Sequence, residues 1–271
     1  ANQMHLEIHS KEPGFSVLML TLPSEENKSQ SFFYNLFYGH TQNNTEVPIK
    51  SYLIKNNLLE YVSLGDGLAK SISSKVVVTN PERYIKKKTF YFGTDKYGRD
   101  LLSRLIIGTR ISFFIGFIAV FISLLIGVSI GAIAGYYGGK IDVLIMWLIN
   151  ITWSIPTLLL VIAITLALGK GYWQVFIAVG LTMWVEVARV VRGQVLTTKQ
   201  QQYVEAAKAL GYSNFRIIFK HILPNIIAPI IVISAANFAA AILIESGLSF
   251  LGIGAQPPTP SWGAIIKNHY N

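Results

Sequence analysis

The sequence predicts an all-α integral membrane domain over residues 93–271, preceded by a small mixed α/β segment over residues 1–92 outside the bilayer. Three observations carry this expectation. Hydrophobic residues make up 52% of the 271-residue chain and charged residues only 14%, where a soluble domain has about 25% charged. The apolar excess is uneven: residues 1–92 hold ten Lys/Arg and eight Asp/Glu, while residues 93–271 hold thirteen and six over almost twice the length. Beyond residue 110, uncharged runs reach the ~20 residues that a membrane span needs. The second part carries +7 of the +9 net charge, and its basic residues flank apolar runs. That pattern reads as membrane topology, not as a nucleic-acid surface. Cysteine is absent, so disulfides and thiolate metal sites are excluded.

In the first segment, Phe15–Leu22 is too short an apolar run to span and is read as a strand. Ser24–Ser31 reads as a polar loop, Ser31–Tyr38 as an aromatic-rich stretch and Thr41–Val47 as a turn. Leu53–Leu64 is read as a short helix, Gly65-Asp66-Gly67 as a turn, and Val76–Val78 as a strand running into Asn80-Pro81. His5 and His9 sit four apart, but Leu6 and Ile8 alternate with them as in a strand. No third ligand is near in sequence, so they read as plain surface histidines. Phe92–Arg104 is dense in glycine and charge. Asp95 and Asp100 are expected to pair locally with Arg99 and Arg104 and to start a helix.

The membrane part follows in order. Ile111–Gly135 is 25 residues without a charge. Gly116, Gly127, Gly131 and Gly135 recur near multiples of four, the spacing that lets helix backbones approach closely in lipid. Val143–Gly169 is a second uncharged run, of 27 residues, expected to kink at Pro156. A third run from Gly171 reaches about Val191 only by accepting Glu186 and Arg189, which are three apart and can pair on one helix face. A fourth, Ile226–Ile244, is interrupted at Glu245, and Ser246–Gly254 continues it. The chain begins at Ala1 and stops after a Pro-rich turn and an apolar restart, so both ends read as cut.

Arg83–Arg110 holds eight Lys/Arg and Arg189–Lys220 holds six. These flanks fall on opposite sides of three spans. The positive-inside rule applies best to the shorter loop. Residues 192–225 are therefore placed in the cytoplasm and residues 1–103 outside.

Between the last two spans lies a polar, basic insert, Tyr203–Asn225. Its Glu205-Ala206-Ala207, Gly211, His221 and Leu223-Pro224 resemble the EAA signature of bacterial ABC importer permeases, which usually has an apolar residue where His221 stands. The His221-Ile222-Leu223-Pro224-Asn225 ending, the Gly-Thr-Asp and Gly-Arg-Asp of residues 93–100, Leu248–Gly252 and Gln256–Gly263 look like the dipeptide/oligopeptide/nickel branch. The resemblance covers residues 93–271; the first ninety residues do not match. It implies a type I ABC importer transmembrane domain of six spans, four to five of them visible here, in a bacterial inner membrane.

The resemblance also implies partners: a homologous permease, two ABC ATPase subunits that bind the ATP and Mg, and an extracytoplasmic substrate-binding protein. It makes residues 192–225 a coupling loop that docks on an ATPase subunit. Ala206, Ala207 and Ala209 would then keep one face slim. Gly211 allows a left-handed C-cap turn, Ser213 or Asn214 caps the second helix, and Pro224 ends it before the span resumes. Glu205 suits the first helix's dipole. The chain has no phosphate-binding G-x-x-x-x-G-K-[ST] of its own, and no cofactor, metal or catalytic residue is expected in it. A nickel or other small-solute permease and an ATP-independent pore remain open. So does an intramembrane enzyme built on Glu186 and Glu245, the acidic residues within the spans.

Overall fold

The computed structural model describes residues 3–22, 44–55, 58–65, 67–72, 78–169, 171–255 and 259–269. The chain forms two compact units, Ala1–Ile111 with Pro257–Asn271, and Ser112–Gln256.

The first unit holds a five-stranded sheet of order β4-β3-β2-β1-β5, antiparallel throughout: β1 (Phe15–Leu22), β2 (Thr45–Lys55), β3 (Leu58–Ser63), β4 (Ala69–Ile72) and β5 (Ile85–Phe90). β1 is apolar apart from Ser16 and Thr21, and both its faces are covered. Leu18, Leu20 and Leu22 pack with Ile49, Leu59, Tyr61 and Ile85 on one side. Phe15, Val17 and Met19 pack with Ile8 and Phe90 on the other.

Several local expectations fail here. Leu53–Leu64 is not a helix: Lys55 ends β2 and Leu58 begins β3, with Leu53 opposite Glu60 and Ile54 opposite Leu59. Along β3, Leu59, Tyr61 and Ser63 are buried while Leu58 and Glu60 are exposed. That is the strand period; the apolar spacing only imitated a helix. The predicted turn at Thr41–Val47 gives way to β2 from Thr45. His5 to His9 forms a 3-10 turn over Leu6–Ile8, not a strand, and it buries His5 where a surface histidine was expected, while His9 stays exposed. The readings at Ser24–Ser31 and Ser31–Tyr38, and most of Val76–Val78, lie outside the described residues.

The charged lead-in does pair. Arg99 Nε donates to Asp95 Oδ2 at 2.7 Å, and Arg104 Nε lies 3.7 Å from the same oxygen. All three side chains are buried. Asp95 Oδ1 also accepts the backbone N–H of Tyr97 and Arg99, each at 2.9 Å. Asp100 accepts from Ser103 Oγ as the helix begins.

That helix is α1, Leu101–Tyr137. After it come α2 (Gly139–Ser154), α3 (Thr157–Leu168), α4 (Tyr172–Thr198), α5 (Gln202–Ala209), α6 (Asn214–Ile217), α7 (Ile227–Phe250) and α8 (Trp262–His269). Among the described residues, three helical stretches are long and apolar enough to cross a membrane: α1, α4, and the helical run Asn214–Phe250; the pair α2–α3 can make a fourth crossing.

In the second unit, α1 meets α4 along a glycine seam. A Cβ on Gly127 would lie 2.6 Å from Val187 Cβ, one on Gly131 2.5 Å from the Ala188 carbonyl oxygen, and one on Gly135 2.8 Å from that of Arg192. The four-residue spacing expected from the sequence is therefore a backbone-to-backbone contact surface. Gly116 faces α7 instead, where a Cβ would approach Phe238 and Ile242.

Two expectations about the spans change. Pro156 does not kink one helix; it divides the run into α2 and α3, bent by 89°. Ile155 and Pro156 are both extended, with ψ of 127° and 123°. A proline disfavours helical backbone in the residue before it and lacks the N–H to continue the ladder. Glu245 does not interrupt the last run either. It is fully buried within α7 and accepts hydrogen bonds from Ser249 Oγ (2.6 Å) and Ser112 Oγ (3.4 Å). A carboxylate so satisfied lets the helix continue.

Candidate functional site

The insert folds as a compact helical elbow at the end of α4. At its corner, the Gly211 N–H donates to the Lys208 carbonyl (2.9 Å) and the Tyr212 N–H to that of Ala207 (3.1 Å). Gly211 has φ +76°. This is a Schellman turn with glycine at its left-handed position, as the sequence predicted. Ser213, not Asn214, caps α6: its Oγ accepts from the Arg216 N–H at 3.4 Å. Tyr212 is flanked by Arg216, whose guanidinium lies 4.2 Å from the ring centre, and by His221, stacked at 5.7 Å. His221 thus fills the family's apolar position with a flat ring that covers Tyr212.

Pro224 does not end the second helix. The backbone passes from α6 into a π-turn, Ile218–Ile222, then a 3-10 turn, Leu223–Ile226, and so into α7. Widening the coil lets the Leu223 N–H reach the Ile218 carbonyl. Asn225 Nδ2 donates to the His221 carbonyl at 2.6 Å. A helix can carry a proline when its ladder is re-satisfied in this way.

The predicted slim face also divides. Ala207 is buried and points, with Val204, into a cluster of Val187, Val191, Val195, Ile217, Ile222 and Ile226. Ala206, Ala209 and Glu205 are exposed. Adjacent residues on a helix lie about 100° apart, so Ala206 and Ala207 cannot share a face. Leu223 packs against the cluster and Pro224 is exposed. The outer surface has apolar residues that the sequence reading did not single out: Leu210 (71% exposed), Phe215 (70%) and Phe219 (53%). The two phenylalanine rings lie 4.3 Å apart. Their i, i+4 spacing beside the glycine turn was the available signal.

Polar bonds fix the elbow's base. Arg192 on α4 donates through Nε and Nη2 to Asp142 on α2, at 2.5 and 2.6 Å. Lys199 Nζ donates to the Gly135 carbonyl at the end of α1 (2.9 Å), and Tyr136 Oη to Asn214 Oδ1 (2.9 Å). The ends of α1, α2 and α4 and the start of α6 are thereby tied to one another.

A second feature sits at the α2–α3 break. A cavity of about 170 Å³ is lined by Thr152, Trp153, Ile155, Thr157 and Leu160, by Thr182, Met183, Val185 and Glu186 of α4, and by Ala240 and Ile244 of α7. Glu186 and Arg189 do not pair. Arg189 is held over the Trp153 ring, 3.4 Å from its centre, and donates to Asn150 Oδ1 at 3.1 Å.

Residues 127–270 match the model of the family described as binding-protein-dependent transport system inner membrane component. The chain belongs to this family. The dipeptide transport system permease protein DppC of Alkalihalophilus pseudofirmus is 42% identical over 198 residues, 72% of this chain and 65% of that protein. The oligopeptide transport system permease protein OppC of Bacillus subtilis is 44% identical over 181 residues, 67% of this chain and 59% of that protein. The chain thus spans less than two thirds of the length of these curated relatives. Structures of the methionine ABC transporter MetNI in inward-facing conformations share the fold. One has TM-score 0.51 at 20% identity, over 57% of this chain and 77% of that one. Another has TM-score 0.52 at 18% identity, over 62% and 86%. The helical part therefore has the type I ABC importer transmembrane fold, and membership of the family makes the chain an inner membrane transport component.

Proposed function

We propose that this chain is a membrane-spanning permease subunit of an ATP-driven importer of di- or oligopeptides. The observation that carries the reading is the elbow. It is packed rigidly on the helix ends by its inner face, yet its outer face presents Tyr203, Leu210, Phe215 and Phe219 with Glu205 beside them. An element anchored on one side and apolar on the other suits a docked partner that must transmit force. In this reading two ABC ATPase subunits bind ATP and Mg and grip the Gln202–Pro224 elbow in the cytoplasm. A homologous permease completes the pathway, and a binding protein delivers solute on the opposite side, where residues 1–92 lie. ATP-driven closure of the ATPases displaces the elbow and rocks the spans between inward- and outward-open arrangements. The peptide class rests on the likeness to the dipeptide and oligopeptide permeases.

The test is reconstitution of the complete complex in proteoliposomes with its binding protein. A labelled dipeptide should accumulate only with ATP inside the compartment that holds the ATPases. ATPase subunits that do not co-purify with the chain, or accumulation without ATP, would refute the coupling role. Accumulation of nickel in place of dipeptide would refute the substrate class and leave the coupling standing.

A further inference from the structure

Glu186 is the unexplained charge in the spans. It is the fifteenth residue of the 27-residue α4, which puts it about 20 Å from either helix end at 1.5 Å per residue. In a membrane-crossing helix that is near the bilayer midplane, where a carboxylate is costly unless it faces water or a counter-charge. Its natural partner one turn on, Arg189, is engaged by Trp153 and Asn150. No hydrogen bond or ion pair engages the Glu186 carboxylate among the described residues. Its side chain is exposed to the cavity at the α2–α3 break. The contrast with Glu245 is informative: that carboxylate is fully buried and bonded to serines. Two glutamates at membrane depth have been treated differently, and the one left unpaired faces an opening.

The opening is a mostly apolar cavity with one carboxylate and three hydroxyls on its walls. Its walls are apolar apart from Thr152, Thr157, Thr182 and Glu186. It lies where backbone is non-helical at Ile155 and Pro156, and irregular backbone at membrane depth is tolerated where it lines a cavity or is covered by protein. Its volume of about 170 Å³ accommodates the end of a peptide and not a whole oligopeptide.

We propose that Glu186 is a transient counter-ion for the ammonium terminus of the solute as it crosses, with the three threonine hydroxyls as hydrogen-bonding neighbours. A lone carboxylate in an apolar opening lowers the barrier for a positively charged end. With one charge-assisted contact and no enclosing cage, it also releases that end again. The inference rests on the peptide-importer reading above.

The test compares Glu186→Gln with the parent complex in proteoliposomes, using a free-amine dipeptide and its N-acetylated form. Both complexes use the same binding protein, so the ratio of variant to parent for each substrate cancels that protein's own preference. Loss of one charge-assisted hydrogen bond should cut kcat/KM for the free-amine peptide by about tenfold or more. The N-acetylated peptide should be unaffected, and ATPase retention and basal hydrolysis unchanged. Glu186→Asp should restore part of the loss. Equal loss for both peptides, or loss of assembly in Gln and Asp variants alike, would make Glu186 a structural residue and overturn the proposal. So would an unchanged free-amine rate in a parent complex that does import peptide. A parent complex that imports neither peptide would overturn the importer reading itself, and this inference with it.

Discussion

Replacing Gly211 by valine isolates the elbow's corner. A Cβ at this position would meet no atom within 4 Å, so the substitution creates no collision with the surroundings. Its cost is purely conformational: φ is +76°, and a β-branched residue held there loses about 2 kcal/mol. At 1.4 kcal/mol per factor of ten, that depletes the native turn about thirtyfold. The escape is a turn without the Gly211-to-Lys208 and Tyr212-to-Ala207 hydrogen bonds, which re-aims α5 against α6. The membrane helices do not depend on this turn, so the protein should insert and assemble. Uptake per ATP hydrolysed should fall by an order of magnitude or more, with basal hydrolysis retained. Gly211→Asn should fall much less, because asparagine tolerates the left-handed region. The assay is paired uptake and hydrolysis in the same proteoliposomes. Wild-type coupling in Gly211→Val, or equal defects in Val and Asn variants, would refute the claim that the left-handed turn matters to coupling.

Four further outcomes are expected. Gly131→Leu should lower the melting midpoint of the detergent-purified protein by an overpacking cost of about 1–3 kcal/mol, because even a Cβ there lies 2.5 Å from the Ala188 carbonyl; Gly193→Ala, with open space around it, should change little. Arg192→Ala leaves a mostly buried Asp142 without its bidentate partner, so it should destabilise by about 1–3 kcal/mol, and adding Asp142→Ala should cost less than the two single losses together in a double-mutant cycle. Alanine at Leu210, Phe215 and Phe219 together should weaken ATPase retention on affinity purification while leaving the chain's own melting midpoint unchanged, because these side chains are exposed. Burial lowers the pKa of His5 below its usual 6.5, with the nearby Glu46 opposing; the unfolded state then binds the proton more readily, so the β-sheet unit keeps its full stability above pH about 6.5 and loses it as pH falls below. Hydrogen exchange in β1 of the full-length chain should speed up accordingly, and His5→Gln should flatten that dependence.

The comparison between the two levels is clearest at particular residues. The turn at Gly211, a cap at Ser213 or Asn214 and the Asp95 ion pairs were legible because each is a local matter, settled by side chains a few positions apart. β1 was legible because six of its eight residues are apolar, in a run too short to span a membrane. The hairpin of β2 and β3 was not. Leu53, Ile54, Leu58 and Leu59 satisfy a helical spacing in sequence, and only their pairing across the sheet shows the period-two alternation.

The fates of the polar and breaking residues likewise depended on partners distant in sequence. Pro224 was expected to stop a helix, but a π-turn and the Asn225 amide carry the ladder past it. Glu186 and Arg189 share a helix face, as their spacing requires. Trp153 and Asn150 from another helix nevertheless claim the arginine and leave the glutamate to the cavity.

The sequence by itself determined the membrane class, the apolar spans, the glycine seam and the signature of the insert. These follow from hydrophobicity and helical spacing, which are properties of neighbours along the chain. Only the tertiary structure decided which alanine of Glu205-Ala206-Ala207 faces inward, which proline breaks a helix, and which of two buried-depth glutamates stands free. The Tyr203–Asn225 insert shows both levels. Its corner is set by one glycine's backbone freedom, while its inner and outer faces exist only because Val204, Ala207, Ile217 and Ile222 have membrane helices to pack against. Such packing has no expression in local sequence, since it is a free energy shared between segments that the chain brings together only on folding.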